Sequence, residues 1–145
     1  MAIRFRWLIF SAALFALPVG AADPPPPLAD LPVAGTTLLA PEEYSAAITL
    51  AARGSAPLDI VLKIVGAFEG STQHIIQVNE GGEAPSASRL TVLRDGLMDD
   101  SVRSVRWDIV LEKTPAGGWS IKEVRRSWRC WRGDQLDRFG SRLCP

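Results

Sequence analysis

The only two cysteines of the chain, Cys130 and Cys144, fall at the end of its longest alternating stretch and just before its last residue. This placement constrains the fold more than any other feature. Trp119 to Cys130, WSIKEVRRSWRC, reads as a strand, and the following residues must form a loop that returns so that Cys144 bonds Cys130. Closing a loop of about 15 residues stabilises a fold by roughly 3 kcal/mol in the chain-entropy view. Trp119 to Cys144 holds three of the five tryptophans and seven of the sixteen basic residues. Its strand slips phase: Trp119 and Ile121 are apolar at odd positions, Val124, Trp128 and Cys130 at even ones. A bulge near Glu123 to Arg126 restores one common face; without it, Trp119 and Ile121 point to the second side of the sheet.

The bonded state of the pair follows from where the chain is expected to reside. Arg4 and Arg6 precede an apolar run from Trp7 to Leu17, and small residues follow around Ala21 and Ala22. This is the pattern of a secretory signal peptide over residues 1–22, cleaved after Ala21 or Ala22. The apolar run is well short of the roughly 20 residues that span a bilayer as a helix. The expectation is therefore a periplasmic or secreted protein with no transmembrane segment after cleavage. In that oxidising compartment two cysteines pair. Cys130 and Cys144 lack the short spacing of a zinc site, and His74 is the only histidine, so no metal is expected.

After cleavage about 123 residues remain, the size of one domain with one core. Residues 23–99 carry a net charge of −6 and residues 100–145 a net charge of +4. That opposition lets the two halves attract each other, or steers an anionic partner to the second half.

Residues 23–40 contain five prolines and read as a leader ahead of a single α+β domain over residues 41–145. Pro41, Glu42 and Glu43 open a helix that Arg53 and Gly54 close, with Tyr44, Ala47, Ile48 and Ala51 as its buried stripe. For Leu58 to Phe68 two readings compete. Ser55 as cap, Pro57 and Asp59 in the first turn, and Leu58, Val61, Leu62, Val65 and Phe68 on one face favour a helix. The β-branched Ile60, Val61, Ile64 and Val65 also suit a buried strand.

From Gly70 the period becomes two. TQHIIQVNE aligns Ile76 with Val78, SRLTVLRDG aligns Leu90 with Val92, and VRSVRWDIVLEK aligns Val105, Trp107, Ile109 and Leu111. With the cysteine-terminated strand these make a four-stranded antiparallel meander, and Pro115 to Gly118 close its last hairpin. The expected fold is a helical N-terminal segment packed on that sheet, in the cystatin-like manner.

Candidate chemistry is sparse. His74 has no nucleophile elbow to serve, and Asp99, Asp100 and Ser101 suit a turn better than a carboxylate pair or an ion site. The densest signal is arginine among aromatics: Arg103, Arg106 and Trp107, then Arg125, Arg126, Trp128, Arg129, Trp131 and Arg132. Guanidinium groups on indole faces present donors to anions, yet they also pack as cross-strand pairs on a solvated face. In a regular strand Arg125, Arg129 and Trp131 share the side opposite Cys130, which reads as the open side.

The C-terminal half resembles an uncharacterised family of small exported bacterial proteins. The matching residues are Gly96-Leu97, Asp99-Asp100-Ser101-Val102-Arg103, Gly118-Trp119 with Ile121, and Arg129-Cys130 followed by Arg132-Gly133 and Cys144. The match runs from about Val65 to Cys144 and departs in Val124 to Trp128, which is more basic here. It implies export and the disulfide, and it brings no activity and no site residue. The functional expectation is an exported, non-enzymatic binding module, of inhibitor or immunity type, that uses Arg125, Arg129, Trp131 and Arg132 beside the Cys130–Cys144 loop. Its partner is expected to be a protein or an anionic envelope component, not nucleic acid, and no cofactor is expected. The alternative is a periplasmic carrier holding a small apolar ligand between helix and sheet, with an enzyme as the third reading.

Overall fold

A computed structural model describes residues 26–145, so the expected signal peptide over residues 1–22 and its expected cleavage site lie outside the described residues. The described chain is α+β, with two helices on one face of a five-stranded antiparallel sheet.

Pro41 to Tyr44 form a 3-10 turn that feeds helix α1, Ser45–Ala52. Pro41 presets the backbone at the start, and the Glu43 carboxylate accepts the Ala40 N–H at 2.9 Å, answering one donor that the turn leaves free. Ala47 and Ala51 are fully buried, with Tyr44 beside them, whereas Ile48 stays exposed. Helix α2, Pro57–Val65, resolves the ambiguous stretch as helical. Ser55 does not cap it; Ala56 stands at the cap position without a side-chain bond, and Pro57 begins the first turn. The buried residues are Ile60, Val61 and Val65, with Ile64 partly covered, while Leu58 and Leu62 are exposed. The stripe is therefore rotated from the expected one, toward the β-branched residues that had made a strand plausible.

The meander consists of β2 (Thr72–Glu80), β3 (Ala87–Asp95), β4 (Val102–Lys113) and β5 (Trp119–Cys130). A fifth strand, β1 (Thr37–Leu38), pairs with Arg126 and Arg125 of β5, giving the order β1-β5-β4-β3-β2. The expected count of four strands is thus corrected to five. The added strand lies inside the stretch read as a leader, and Leu31 and Leu39 on either side of it are buried. From Leu28 onward that stretch is part of the domain, because its leucines find apolar partners that its prolines do not forbid.

The phase slip in β5 is a bulge at Lys122: Val110 faces Glu123 while Leu111 faces Ile121. It falls one residue before the expected window and has the expected consequence. Trp119, Ile121, Val124 and Trp128 share the helix-covered face with Leu111, Ile109, Trp107 and Val105. A second shift makes Arg103 the extra residue of β4, between Val102 opposite Cys130 and Ser104 opposite Arg129.

The β4–β5 hairpin passes so close to the end of α1 that a Cβ on Gly118 would lie 2.7 Å from the Ala52 carbonyl oxygen. Only a glycine fits this contact without movement of backbone. Gly118→Ala is expected to cost about 1–3 kcal/mol, the range for overpacking a close contact. A melting temperature unchanged by this substitution would show that the helix and hairpin are not in register here.

The second sheet face carries a smaller core of Leu31, Leu93 and Phe139. Phe139 arrives on the returning loop, which bonds the N-terminal segment through Ala34 N–H to Phe139 O at 2.8 Å and Phe139 N–H to Pro32 O at 2.8 Å. Cys130 and Cys144 are disulfide bonded, with their Cα atoms 5.4 Å apart. Gln135 organises the loop: its buried side-chain amide donates to the Trp128 and Arg142 carbonyls, and its backbone carbonyl accepts the Cys130 N–H at 2.8 Å.

Candidate functional site

Arg125, Arg129, Trp131 and Arg132, expected to form one open face, are separated by the fold. Arg129 is only 8% exposed. Its Nη2 donates to Asp95 Oδ1 at 2.8 Å and its Nε to Ser104 Oγ at 3.0 Å, while the Ser104 hydroxyl donates to the same Asp95 oxygen. The side opposite Cys130 is thus not open at this position. Phe139 of the returning loop also packs on that side, and Ser127, in register with Leu93 on the same face, is fully buried. Burial by itself raises the Asp95 carboxyl, but the Ser104 hydroxyl, the Arg129 guanidinium and the Gly96 N–H together hold it below the usual carboxylate range. Arg129 is an internal counter-ion, which corrects its assignment to a partner surface.

Arg125 is half-exposed but already engaged. Its Nε lies 2.5 Å from Glu123 Oε1, and its Nη1 donates to Thr36 Oγ1 at 3.2 Å. Two residues apart on a strand, Arg125 and Glu123 share a face, and the pair ties β5 to the residue just before β1.

Trp131 and Arg132 remain at the surface, at the sheet end where the disulfide lies. Trp131 is 47% exposed and yet fixed. Its indole N–H donates to the Asp99 carbonyl at 3.1 Å, its backbone N–H donates to Ser101 O at 2.9 Å, and the Arg103 guanidinium stacks 4.9 Å above its ring. The β3–β4 loop that receives it is closed by local bonds. Asp99 Oδ1 accepts the N–H groups of Ser101 and Val102 at 2.8 and 2.7 Å, and these bonds hold the Asp99 carboxyl below its ordinary range. Asp99 is the turn former its sequence context suggested. The loop presents Met98, 93% exposed, on the same end. Arg132 is exposed, with only a long contact of 3.5 Å from Nε to the Pro145 carbonyl.

Arg94 is the residue that the alternating pattern concealed. Sharing the core face with Leu90 and Val92, it is 4% exposed. Its Nη1 donates to Val65 O and Ala67 O, both at 2.8 Å, its Nη2 to Gly66 O at 2.7 Å, and its Nε to Gln73 Oε1 at 2.8 Å. The guanidinium also lies near the Phe68 and Trp107 rings, 5.5 and 5.3 Å from their centroids. A cation thus answers the carbonyl end of α2 where the helix dipole favours positive charge. An arginine in phase with Leu90 and Val92 was the available signal.

Two clefts border these features. One of about 340 Å³ runs from Arg94 and Trp107 to Met98 and Asp99. The other, of about 490 Å³, lies between α1 and the β4–β5 hairpin and is lined by Tyr44, Ile48, Trp119 and Ile121 among others. The space between the helices and the sheet centre is filled by Ala47, Ala51, Ile60 and Val61 against Leu90, Val92, Ile109 and Leu111, all buried. His74 stands on the exposed β2 strand, opposite Leu93. Among the described residues, no group of three His, Cys, Asp or Glu is placed to hold a metal ion, and no helix is long and apolar enough to cross a membrane.

No family model, curated protein or solved structure matches the chain.

Proposed function

We propose that the protein is an exported, non-enzymatic binding module whose partner docks on the disulfide end of the sheet, where Met98, Arg103, Trp131 and Arg132 stand together. The observation that carries this reading is Trp131: half its surface faces solvent while its indole N–H, backbone N–H and ring face are all held. A large aromatic group fixed in advance loses little conformational entropy on binding, and such residues dominate protein interfaces. Exposed Met98 adds an adaptable apolar contact, and Arg103 and Arg132 suit an acidic rim on a partner protein. Export is supported by the signal-like N-terminus together with the disulfide. Helices packed on one face of an antiparallel meander support the cystatin-like comparison, and inhibitor or immunity-type proteins are the functional class proposed.

The test is recovery of a partner from the exported fraction by wild type and by a Met98→Ala, Trp131→Ala double variant. The variant should fold and lose about 2 kcal/mol or more of affinity, the scale of a hot-spot loss. Equal recovery by a well-folded double variant would sink the proposal. A second reading, a carrier of a small apolar ligand, draws on the cleft of about 490 Å³ beside Ile48. Binding of an apolar fluorescent probe that is abolished by Ile48→Glu and indifferent to Trp131→Ala would favour it.

A further inference from the structure

We propose that β2, the edge strand whose outer side is unpaired among the described residues, pairs antiparallel with β2 of a second copy of this chain. The two edges of the sheet are unlike. One ends in β1, two residues long; the other ends in nine residues whose register with β3 runs unbroken from Thr72 opposite Asp95 to Glu80 opposite Ala87. A long edge strand is normally protected by lysine, proline, a bulge or a cover, because its outward N–H and C=O groups form a template for another strand. β2 has no lysine, arginine or proline and no bulge, and every residue but Gln73 is exposed. Its apolar residues Ile75, Ile76 and Val78 are 36%, 45% and 54% exposed.

The strand's own pattern selects a second copy as the occupant. A two-fold axis perpendicular to the sheet keeps every side chain on its face, so only positions of equal parity can oppose one another. Centring that axis on Ile76 is the register that pairs all nine residues. Ile76 then meets Ile76, Ile75 meets Gln77, His74 meets Val78, Gln73 meets Asn79 and Thr72 meets Glu80. No two like charges face each other, and the only formal charge, Glu80, is already paired with Arg89 at 2.7 Å on its own chain. The central rows bring Ile76, Val78 and their copies into one apolar patch, which removes from water side chains that the single chain leaves half-exposed. The result is a continuous ten-stranded sheet. This surface is at the opposite edge from β5 and does not depend on Trp131.

Sedimentation equilibrium of the purified protein is expected to show a monomer–dimer equilibrium. Because residue 76 opposes itself, Ile76→Lys and Ile76→Glu should each weaken the dimer by at least about tenfold, while an equimolar mixture of the two should form a heterodimer. Melting temperatures near wild type confirm that these exposed substitutions leave the fold intact. Wild type that stays monomeric at the highest concentration reached overturns the proposal and leaves the edge to an extended segment of another protein. A dimer unaffected by either substitution, or variants that do not re-pair on mixing, overturns it equally.

Discussion

Arg94→Ala is expected to lower the stability of the protein by about 3–5 kcal/mol, the scale for removing one side of a buried charged network. The substitution leaves the Val65, Gly66 and Ala67 carbonyls without the donors that close α2, frees Gln73, and opens a void beside the Phe68 and Trp107 rings. Losses at a shared site do not add, since water can reach part of the adjoining cleft, which keeps the total below the sum of four lost bonds. Burial pushes the Arg94 guanidinium down from its ordinary value, yet an arginine remains charged at any pH at which the fold is studied. Arg94→Lys keeps the charge and loses the planar fork, so it should recover only part of the stability. Urea unfolding should show a lower midpoint with an unchanged slope, and amide exchange should quicken first at the end of α2. A loss under about 1 kcal/mol for the alanine variant would mean that the helix end is closed by something other than this arginine.

Arg129→Ala is expected to cost about 3 kcal/mol, at the low end for a broken buried pair because the Asp95 side chain keeps 27% exposure. This reverses the expectation for a solvated face, on which alanine at Arg125 and Arg129 together would leave unfolding unchanged. The loss should be carried by Arg129 alone. Linkage sets the pH dependence. Asp95 is held below its ordinary range in the folded state, so it binds its proton more readily when unfolded. Its contribution is therefore fully present above the unfolded value of about 4 and is lost as pH falls through the lower folded value. Asp95→Asn should flatten this part of the acid dependence, leaving the parts due to Asp99 and Glu123, which are likewise held low. Urea midpoints measured from neutral pH downward check this. Parallel curves for wild type and Asp95→Asn would remove the carboxylate from the account.

Much of the architecture was legible where local rules act. The period of two marks β2 to β5, Pro41 and Gly54 bound the first helix, and the phase of Trp119 and Ile121 against Val124 and Trp128 left a bulge or a change of face, between which the structure chose the bulge. The disulfide follows from two cysteines in a chain expected to be exported. The site was legible only in part: Trp131 and Arg132 do remain exposed, and the turn at Asp99 was correctly a turn.

Strand β1 was hidden because two residues among prolines have no period to read; it exists because the long edge of β5 accepts a short segment held by Leu31 and Leu39. For the arginines, alternation along a strand assigns a face and says nothing about what covers that face. Arg94 and Arg129 are decided by segments distant in sequence: the carbonyl end of α2 for one, Asp95 and Ser104 on neighbouring strands for the other. Residue pattern alone determined β2 to β5, the bounds of the first helix and the cross-link. Which guanidinium meets water and which replaces it with carbonyl and carboxylate oxygens was decided by tertiary packing, because burial and the partners that offset its cost exist only once those segments are laid together.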